Sequence, residues 1–463
     1  MKAKRKQRLV VLPVVAVAAV AVFVTIVLVT STTVRIVDLS PAAGQVGVSI
    51  TTPIRLTFSQ PMDAASVESR LQIEPGVEGR WIWNGNTLTF EPHSALAPDT
   101  RYTVSLESDA LSQRGRPLGQ GRTWQFETRE PLLLFLGRRS PDESVRQLHV
   151  ASLQDGAVRQ LTSEPGGVWD YGVHPHGEAI VYSVLRTDGG ADLWWMDRDG
   201  AQQRLLLECP EAACLNPVWS PDGRQIAYER RDIWSQAPNL DPKAGRIWLF
   251  DLERDEEHPL FDYDVPLHSP VWSPDGRNLA YISPLLPGVE IYDLLTEELQ
   301  QIANEWGAVP SWSPDSQELA LPELLVVDEA LAVRLLIAQI DSEQLLDISG
   351  DDDLVKDVTP AWSPGGGWIA FGRQYLDEER WTPGRQIWLV RPDGSEAYPL
   401  LEEPMIDHFA LAWRPDGGAL AYVVNDLSPG PQPVPDISLW VFDLVGRQPQ
   451  QIAVDGVSPQ WLP

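Results

Sequence analysis

The stretch "VWSPDGR" occurs at 218–224 and again at 271–277. Weaker copies read "SWSPDSQ" at 311–317, "AWSPGGG" at 361–367 and "AWRPDGG" at 412–418. A variant without the tryptophan, "HPHGEAIVYS", lies at 174–183, and "VSPQWLP" stands at 457–463. The proline of each copy falls at Pro175, Pro221, Pro274, Pro314, Pro364, Pro415 and Pro463, so successive gaps are 46, 53, 40, 50, 51 and 48 residues. Repeats of this length each make one unit that buries its apolar face only against its neighbours.

The chemistry of the copy is that of a tight turn between two strands. Proline presets φ at the first turn position, Asp bonds back to its own backbone, and Gly takes the left-handed conformation. An apolar strand enters and a second one, such as "QIAYER" at 225–230, leaves. A further hairpin follows each copy, for example "DLWWMDRDGAQQRLLLE" at 192–208 and "SLWVFDLVGRQPQQIA" at 438–453. Each repeat therefore predicts a four-stranded propeller blade. Seven such second hairpins are countable, the first at 147–163. That first one is preceded by a lone strand, "PLLLFLGR" at 131–138, with no Trp-Ser-Pro strand before it. The missing strand is supplied from 457–463, where Trp461 aligns with Trp219 and Pro463 with Pro221. The expectation is an all-β ring of seven blades over 131–463, closed by the C-terminal strand, with no open sheet edge at the seam. The tryptophans at 219, 272, 312, 362, 413 and 461 are expected between blades.

"WSPDG" followed by "IAY" resembles the repeat of TolB-like propellers, relatives of the tryptophan-aspartate repeat class. The resemblance covers 131–463 and is specific for the fold rather than for a function. TolB itself has six blades, so six is the alternative to the count of seven.

Before the repeats, "IRLTFS" (54–59), "TLTFEP" (87–92), "RYTVSLE" (101–107) and "TWQFET" (123–128) alternate apolar and polar residues. That period predicts half-buried antiparallel strands and a β-sandwich over 34–129. "SPAAGQVGVSITTPIRLTFSQPMDAASV" (40–67), "LAPDTRYTVSL" (96–106) and "WQFET" (124–128) resemble a bacterial Ig-like family. The resemblance implies a spacer or adhesive module without catalytic residues. Of Trp81 and Trp83, one is expected in the core and one outside.

Residues 9–29 form a 21-residue apolar run behind Lys2, Lys4, Arg5, Lys6 and Arg8. At 1.5 Å per residue such a helix spans a bilayer core of about 30 Å, and the positive charges stay inside. Residues 1–30 are therefore expected to be a basic tail and a single-pass signal anchor, with both domains outside the cytoplasmic membrane. The formal net charge is −29. With all five early charges positive, the remainder carries about −34, which argues against nucleic acid as a partner. Cys209 and Cys214, the only two cysteines, are expected to form a disulfide in that compartment.

Motifs for chemistry are scarce. There is no Gly-x-Ser-x-Gly, phosphate loop, dinucleotide fingerprint or His-Glu-x-x-His. No catalytic residue, metal or cofactor is assigned, and the chain is expected not to be an enzyme. Asp351, Asp352 and Asp353 in "SGDDDLVKD" (349–357) are a calcium alternative to a solvated acidic loop. His268 and His408, with Asp264 and Asp407, stand just before first strands, where a polar cluster at the pore mouth is the alternative to structural histidines.

The longest connections, 230–246, 373–385 and 425–436, all fall on the ring face opposite the Ser-Pro-Asp-Gly turns. Long loops on a rigid scaffold are where binding resides. Arg231, Trp234, Tyr375, Arg380 and Trp381 are residue types of binding hot spots. With Asp407 and His408 they form the candidate ligand site. The expected partner is an envelope or extracellular protein, peptide or glycan. A propeller enzyme of the metal-dependent lactonase or glycan-cleaving type, with carboxylates at the pore, is the alternative.

Overall fold

The computed structural model describes residues 33–140, 143–233, 245–261, 265–327, 330–342, 344–428 and 437–463. The expected anchor, residues 1–30, lies outside them. Among the described residues no helix is long and apolar enough to cross a membrane. The chain divides into two units. One comprises Met1–Val48, Thr52–His93 and Asp99–Thr128; the other comprises Ser49–Thr51, Ser94–Pro98 and Arg129–Pro463.

In the first unit, alternation folds into two four-stranded sheets. One orders Ile36–Ser40, Ile54–Phe58, Thr87–Pro92 and Gly79–Asn84; the other orders Gln45–Val48, Arg122–Thr128, Arg101–Leu106 and Leu71–Glu74. Inward residues such as Leu56, Leu88, Phe90, Val104 and Phe126 are at most 2% exposed. A short helix, Ala64–Glu68, is capped by Asp63, whose side chain accepts the Ser66 N–H at 2.8 Å. The expectation for Trp81 and Trp83 is corrected. Side chains two apart on a strand share a face, and both indoles are half-buried on the same side of Gly79–Asn84. Trp81 packs on Phe90 at 4.5 Å between ring centroids, and Trp83 Nε1 donates to Glu68 Oε1 at 2.8 Å.

The second unit is a β-propeller. Three of its sheets are four-stranded, and two are eight-stranded. Each eight-stranded sheet is two antiparallel runs of four, joined by one parallel bridge, Ala191 with Ala213 or Val333 with Lys356. The Ser-Pro-Asp-Gly copies form the turns between first and second strands. Ser220 Oγ donates to Asp222 Oδ1 at 2.6 Å and accepts the Gln225 N–H at 2.9 Å. Ser273 and Ser313 repeat both bonds. Gly223, Gly276, Gly366 and Gly417 hold φ between 71° and 74°, and Ser316 holds 64° in the copy that lacks the glycine. Where Arg414 replaces the serine, its Nε donates to Asp416 Oδ1 at 2.7 Å.

The tryptophans bind blade to blade. Trp219 Nε1 donates to Gly172 O, Trp272 to Val218 O, Trp312 to Val271 O, Trp413 to Ala361 O and Trp461 to Ala412 O, at 2.9–3.3 Å. Trp362 instead donates to Gly366 O in its own turn, at 3.3 Å.

Gly456–Leu462 pairs antiparallel with Leu132–Gly137, placing Trp461 opposite Leu133 and Leu462 opposite Leu132. The sheet order is Val158–Gln160, Gln147–Ala151, Leu132–Gly137, Gly456–Leu462. The closing strand reaches both neighbouring blades. Gln460 Nε2 donates to Tyr171 O at 2.9 Å, and Trp461 Nε1 to Ala412 O at 2.9 Å. The run of "LLLFLG" at 132–137 has no polar alternation because both of its faces are buried. Leu134 and Leu136 join the cluster of Leu148, Tyr182 and Leu462; Leu133 and Phe135 join that of Ala421, Leu439 and Trp461. Arg129 Nη2 and Arg198 Nη1 both donate to Pro463 O, at 2.8 and 2.6 Å.

Candidate functional site

Five of the inner strands carry a bulge three residues before their tryptophan. Asn216, Ser269, Thr359, Ala410 and Ser458 hold φ of 51–57° there, and the strand register shifts at each. A bulge re-aims its neighbours and leaves backbone N–H groups outside the ladder. Carboxylates take two of these up. Asp170 Oδ2 accepts the Asn216 N–H at 2.6 Å and Glu229 Oε1 accepts the Ser269 N–H at 2.8 Å. Asn216 Nδ2 donates to the same Glu229 oxygen at 2.8 Å, and Ser183 Oγ donates to Asp170. Arg231 Nη2 lies 2.5 Å from Glu229 Oε2. Glu229 is fully buried. Burial pushes the Asp170 carboxyl up to about 7, against the pull of Ser183 and the Asn216 amide. Arg231, expected in a loop, is thus at the end of the strand Gln225–Asp232 and is tied to a buried carboxylate.

A second network lies where the connection 349–353 meets the loop after the strand Ile369–Tyr375. Arg373 is 1% exposed and grips Asp357 with two bonds, Nε to Oδ1 at 2.8 Å and Nη2 to Oδ2 at 2.6 Å. Its guanidinium stacks over Trp388 at 4.7 Å. Arg380 Nη1 donates to Asp352 Oδ1 at 2.5 Å, and its guanidinium covers the Tyr375 ring at 4.4 Å. Asp352 and Asp377 together hold the Arg380 pKa above its ordinary value. The structure therefore brings Tyr375 and Arg380 together, with Trp381 beside them at 61% exposure. Trp234 lies outside the described residues.

Asp352 is paired with two guanidinium groups: besides Arg380, Arg373 Nη1 is 3.3 Å from its Oδ2. Among the described residues no group of three or more His, Cys, Asp or Glu side chains is placed to hold a metal ion.

Asp407 and His408 are held apart from that network. Asp407 receives Arg385 Nε and Nη2, both at 2.6 Å. Burial pushes its carboxyl up, but the Arg385 bonds outweigh that and leave it below its ordinary range. His408 is fully buried, with Nδ1 2.8 Å from Arg385 O, and burial lowers its pKa. Its Nε2 lies 3.3 Å from Glu403 Oε2 without hydrogen-bond geometry. A buried imidazole offers no surface to a ligand. His268 Nδ1 sits 3.0 Å from Ser269 Oγ, and Asp264 lies outside the described residues. Cys209 and Cys214 are joined by a disulfide. Sequence reasoning missed Asp170, Glu229 and Asp357. The available signal was a carboxylate inside or at the end of an apolar strand.

Residues 30–128 match the bacterial Ig-like domain. The chain matches the Tol-Pal system protein TolB of Alcanivorax borkumensis, 29% identical over 160 residues, which is 31% of this chain and 37% of that protein. The chain carries a bacterial Ig-like domain and a TolB-like propeller. It also matches the uncharacterized peptidase YuxL of Bacillus subtilis, 23% identical over 210 residues, 38% of this chain and 32% of that protein. The chain thus spans about a third of the length of these curated relatives. Among solved structures, a puromycin hydrolase mutant complexed with PGG is similar at a TM-score of 0.53 and 15% identity, covering 70% of this chain and 52% of that one. This likeness shows the fold alone.

These relatives correct one expectation. The chain was expected not to be an enzyme because it lacks hydrolase motifs. It is similar over 210 residues to a protein named as a peptidase, so missing motifs do not exclude enzymatic activity.

Proposed function

We propose that this chain is an extracytoplasmic binding or scaffold protein of the cell envelope, held to the cytoplasmic membrane by residues 1–30. In this reading 34–129 is the Ig-like module and 131–463 a ring of seven blades, one for each antiparallel run of four. The loop-rich face docks an envelope protein. The observation that carries the reading is the Tyr375–Arg380–Asp352 network with exposed Trp381 beside it. An aromatic and a guanidinium fixed in place lose little entropy on binding, the property of interface hot spots. The match to a Tol-Pal system protein favours a protein partner in the envelope.

The test is cross-linking capture from intact envelopes with the full chain and with an Arg380→Ala, Trp381→Ala double variant. One specific partner lost in the variant supports docking at this surface. Equal capture by both proteins removes this surface from the proposal.

A second reading, catalysis at this pair of carboxylates, is favoured by Asp170 and Glu229 meeting on Asn216. Turnover of envelope peptides or glycans that is lost in Glu229→Gln supports it. Turnover unchanged in that variant contradicts it.

A further inference from the structure

The seam of the ring carries a separate cleft of about 400 Å³, between the closing blade and the one after it. That size lies within the range of roughly 300–1,000 Å³ that holds small ligands. Leu136, Val145, Leu185 and Val457 make one wall apolar, and Trp169 stands at the mouth. Trp169 is 55% exposed, in a strand that buries Val168, Tyr171 and Gly172. Gly166 and Gly167 leave the rim without side chains. A Cβ on Gly166 would sit 2.0 Å from Leu185 O, and one on Gly167 would sit 2.7 Å from Val145 Cβ.

Two guanidinium groups line the same cleft and share one carboxylate. Arg138 Nε donates to Asp455 Oδ2 at 2.5 Å, and Arg146 Nη2 to Asp455 Oδ1 at 3.0 Å. Glu143, the other carboxylate near them, accepts the Arg139 N–H at 2.9 Å. Arg146 Nε is buried and has no hydrogen-bond partner among the described residues. The residues lining the cleft thus include two guanidinium groups and no carboxylate, beside an apolar wall and an exposed indole. Guanidinium groups bind carboxylates through paired N–H bonds. A sugar acid would bring several hydroxyls, and an aliphatic wall offers those no partners.

We propose that this cleft binds the C-terminal carboxylate of a peptide whose last residue is apolar. Arg146, with Arg138, holds the carboxylate; the aliphatic wall takes the last side chain; Trp169 covers the peptide plane before it. This reading deepens the envelope-protein proposal and rests on it for the source of the peptide, but it uses different residues.

The test is fluorescence anisotropy with the full chain and a labelled pentapeptide ending in leucine, as the free acid and as the amide. The acid is expected to bind about 10-fold tighter or more, the worth of a charge-assisted pair in a partly buried site. Arg146→Gln is expected to abolish the preference and Arg146→Lys to keep part of it, which separates loss of charge from loss of fold. Trp169→Ala is expected to weaken acid and amide alike. Arg380→Ala is expected to leave the preference intact, so this proposal and the docking surface fail separately. Equal binding of acid and amide by the wild type overturns the proposal. So does a preference that survives Arg146→Gln, or tighter binding of glucuronate than of the free-acid peptide.

Discussion

Asp170 is a largely desolvated carboxylate, and its position has a measurable consequence. Its ordinary value is 3.8 and burial pushes it up to about 7. Between those values the folded state binds more protons than the unfolded one, so this group's contribution to stability falls as pH rises. Asp170→Asn is therefore expected to gain on the wild type by roughly 1–3 kcal/mol between pH 5 and pH 8 in urea titrations. The buried histidines, whose values are lowered, slope the other way, but they act in both proteins and cancel in the difference. A difference that does not change with pH contradicts the assignment. Arg373 carries a second expectation. Arg373→Ala strands Asp357 in the interior, and removing one partner of a buried pair costs about 3–5 kcal/mol. Thermal denaturation showing less than about 1 kcal/mol would mean that water reaches Asp357. At this scale the sequence was read unevenly. Tyr375 and Arg380 were picked out by residue type and do meet, whereas Asp357 reads like any other acid in "SGDDDLVKD". Only the fold reveals that its partner is Arg373, 16 residues away.

Strands and turns were far more legible. The Ser-Pro-Asp-Gly turns could be placed because each residue's role is local. Proline sets one dihedral, glycine accepts another, and Asp bonds within the turn. The serine was the missed part: its hydroxyl bridges the Asp carboxylate to the N–H that opens the second strand. The inner-strand bulges also went unread. Four of the five residues at positive φ precede a proline, as in Asn216-Pro217 and Ser458-Pro459, yet no one of these pairs declares a left-handed residue by itself. In the first unit the alternation was correct, but its consequence was misapplied, since Trp81 and Trp83 are two apart and cannot face opposite ways. The closing strand gives a direct energetic test. Trp461 is 6% exposed between the first and last blades and bonds to Ala412 O. Trp461→Ala is expected to cost about 3–5 kcal/mol by denaturant titration, as for other buried large-to-small changes. A cost below about 1 kcal/mol would show that the strand adds little.

Across the whole molecule, the repeat spacing revealed the architecture because each blade repeats one local solution. The ligand is not written in that spacing, since the chain is similar both to TolB and to a protein named as a peptidase. The proposals above therefore rest on parts that differ between blades: the Arg380 network, the Asp170–Glu229 carboxylates and the seam. Of these, the seam is fundamental, because pairing of Gly456–Leu462 with Leu132–Gly137 leaves neither as an open edge. Hydrogen exchange of the full chain tests this most directly. The amides of Leu132–Gly137 and Gly456–Leu462 are expected to exchange as slowly as those of the inner strand Ala212–Trp219, with protection of Leu132–Gly137 falling sharply when 456–463 is deleted. Rapid exchange of Gly456–Leu462 in the intact chain, or unchanged protection of Leu132–Gly137 after the deletion, would contradict closure of the ring.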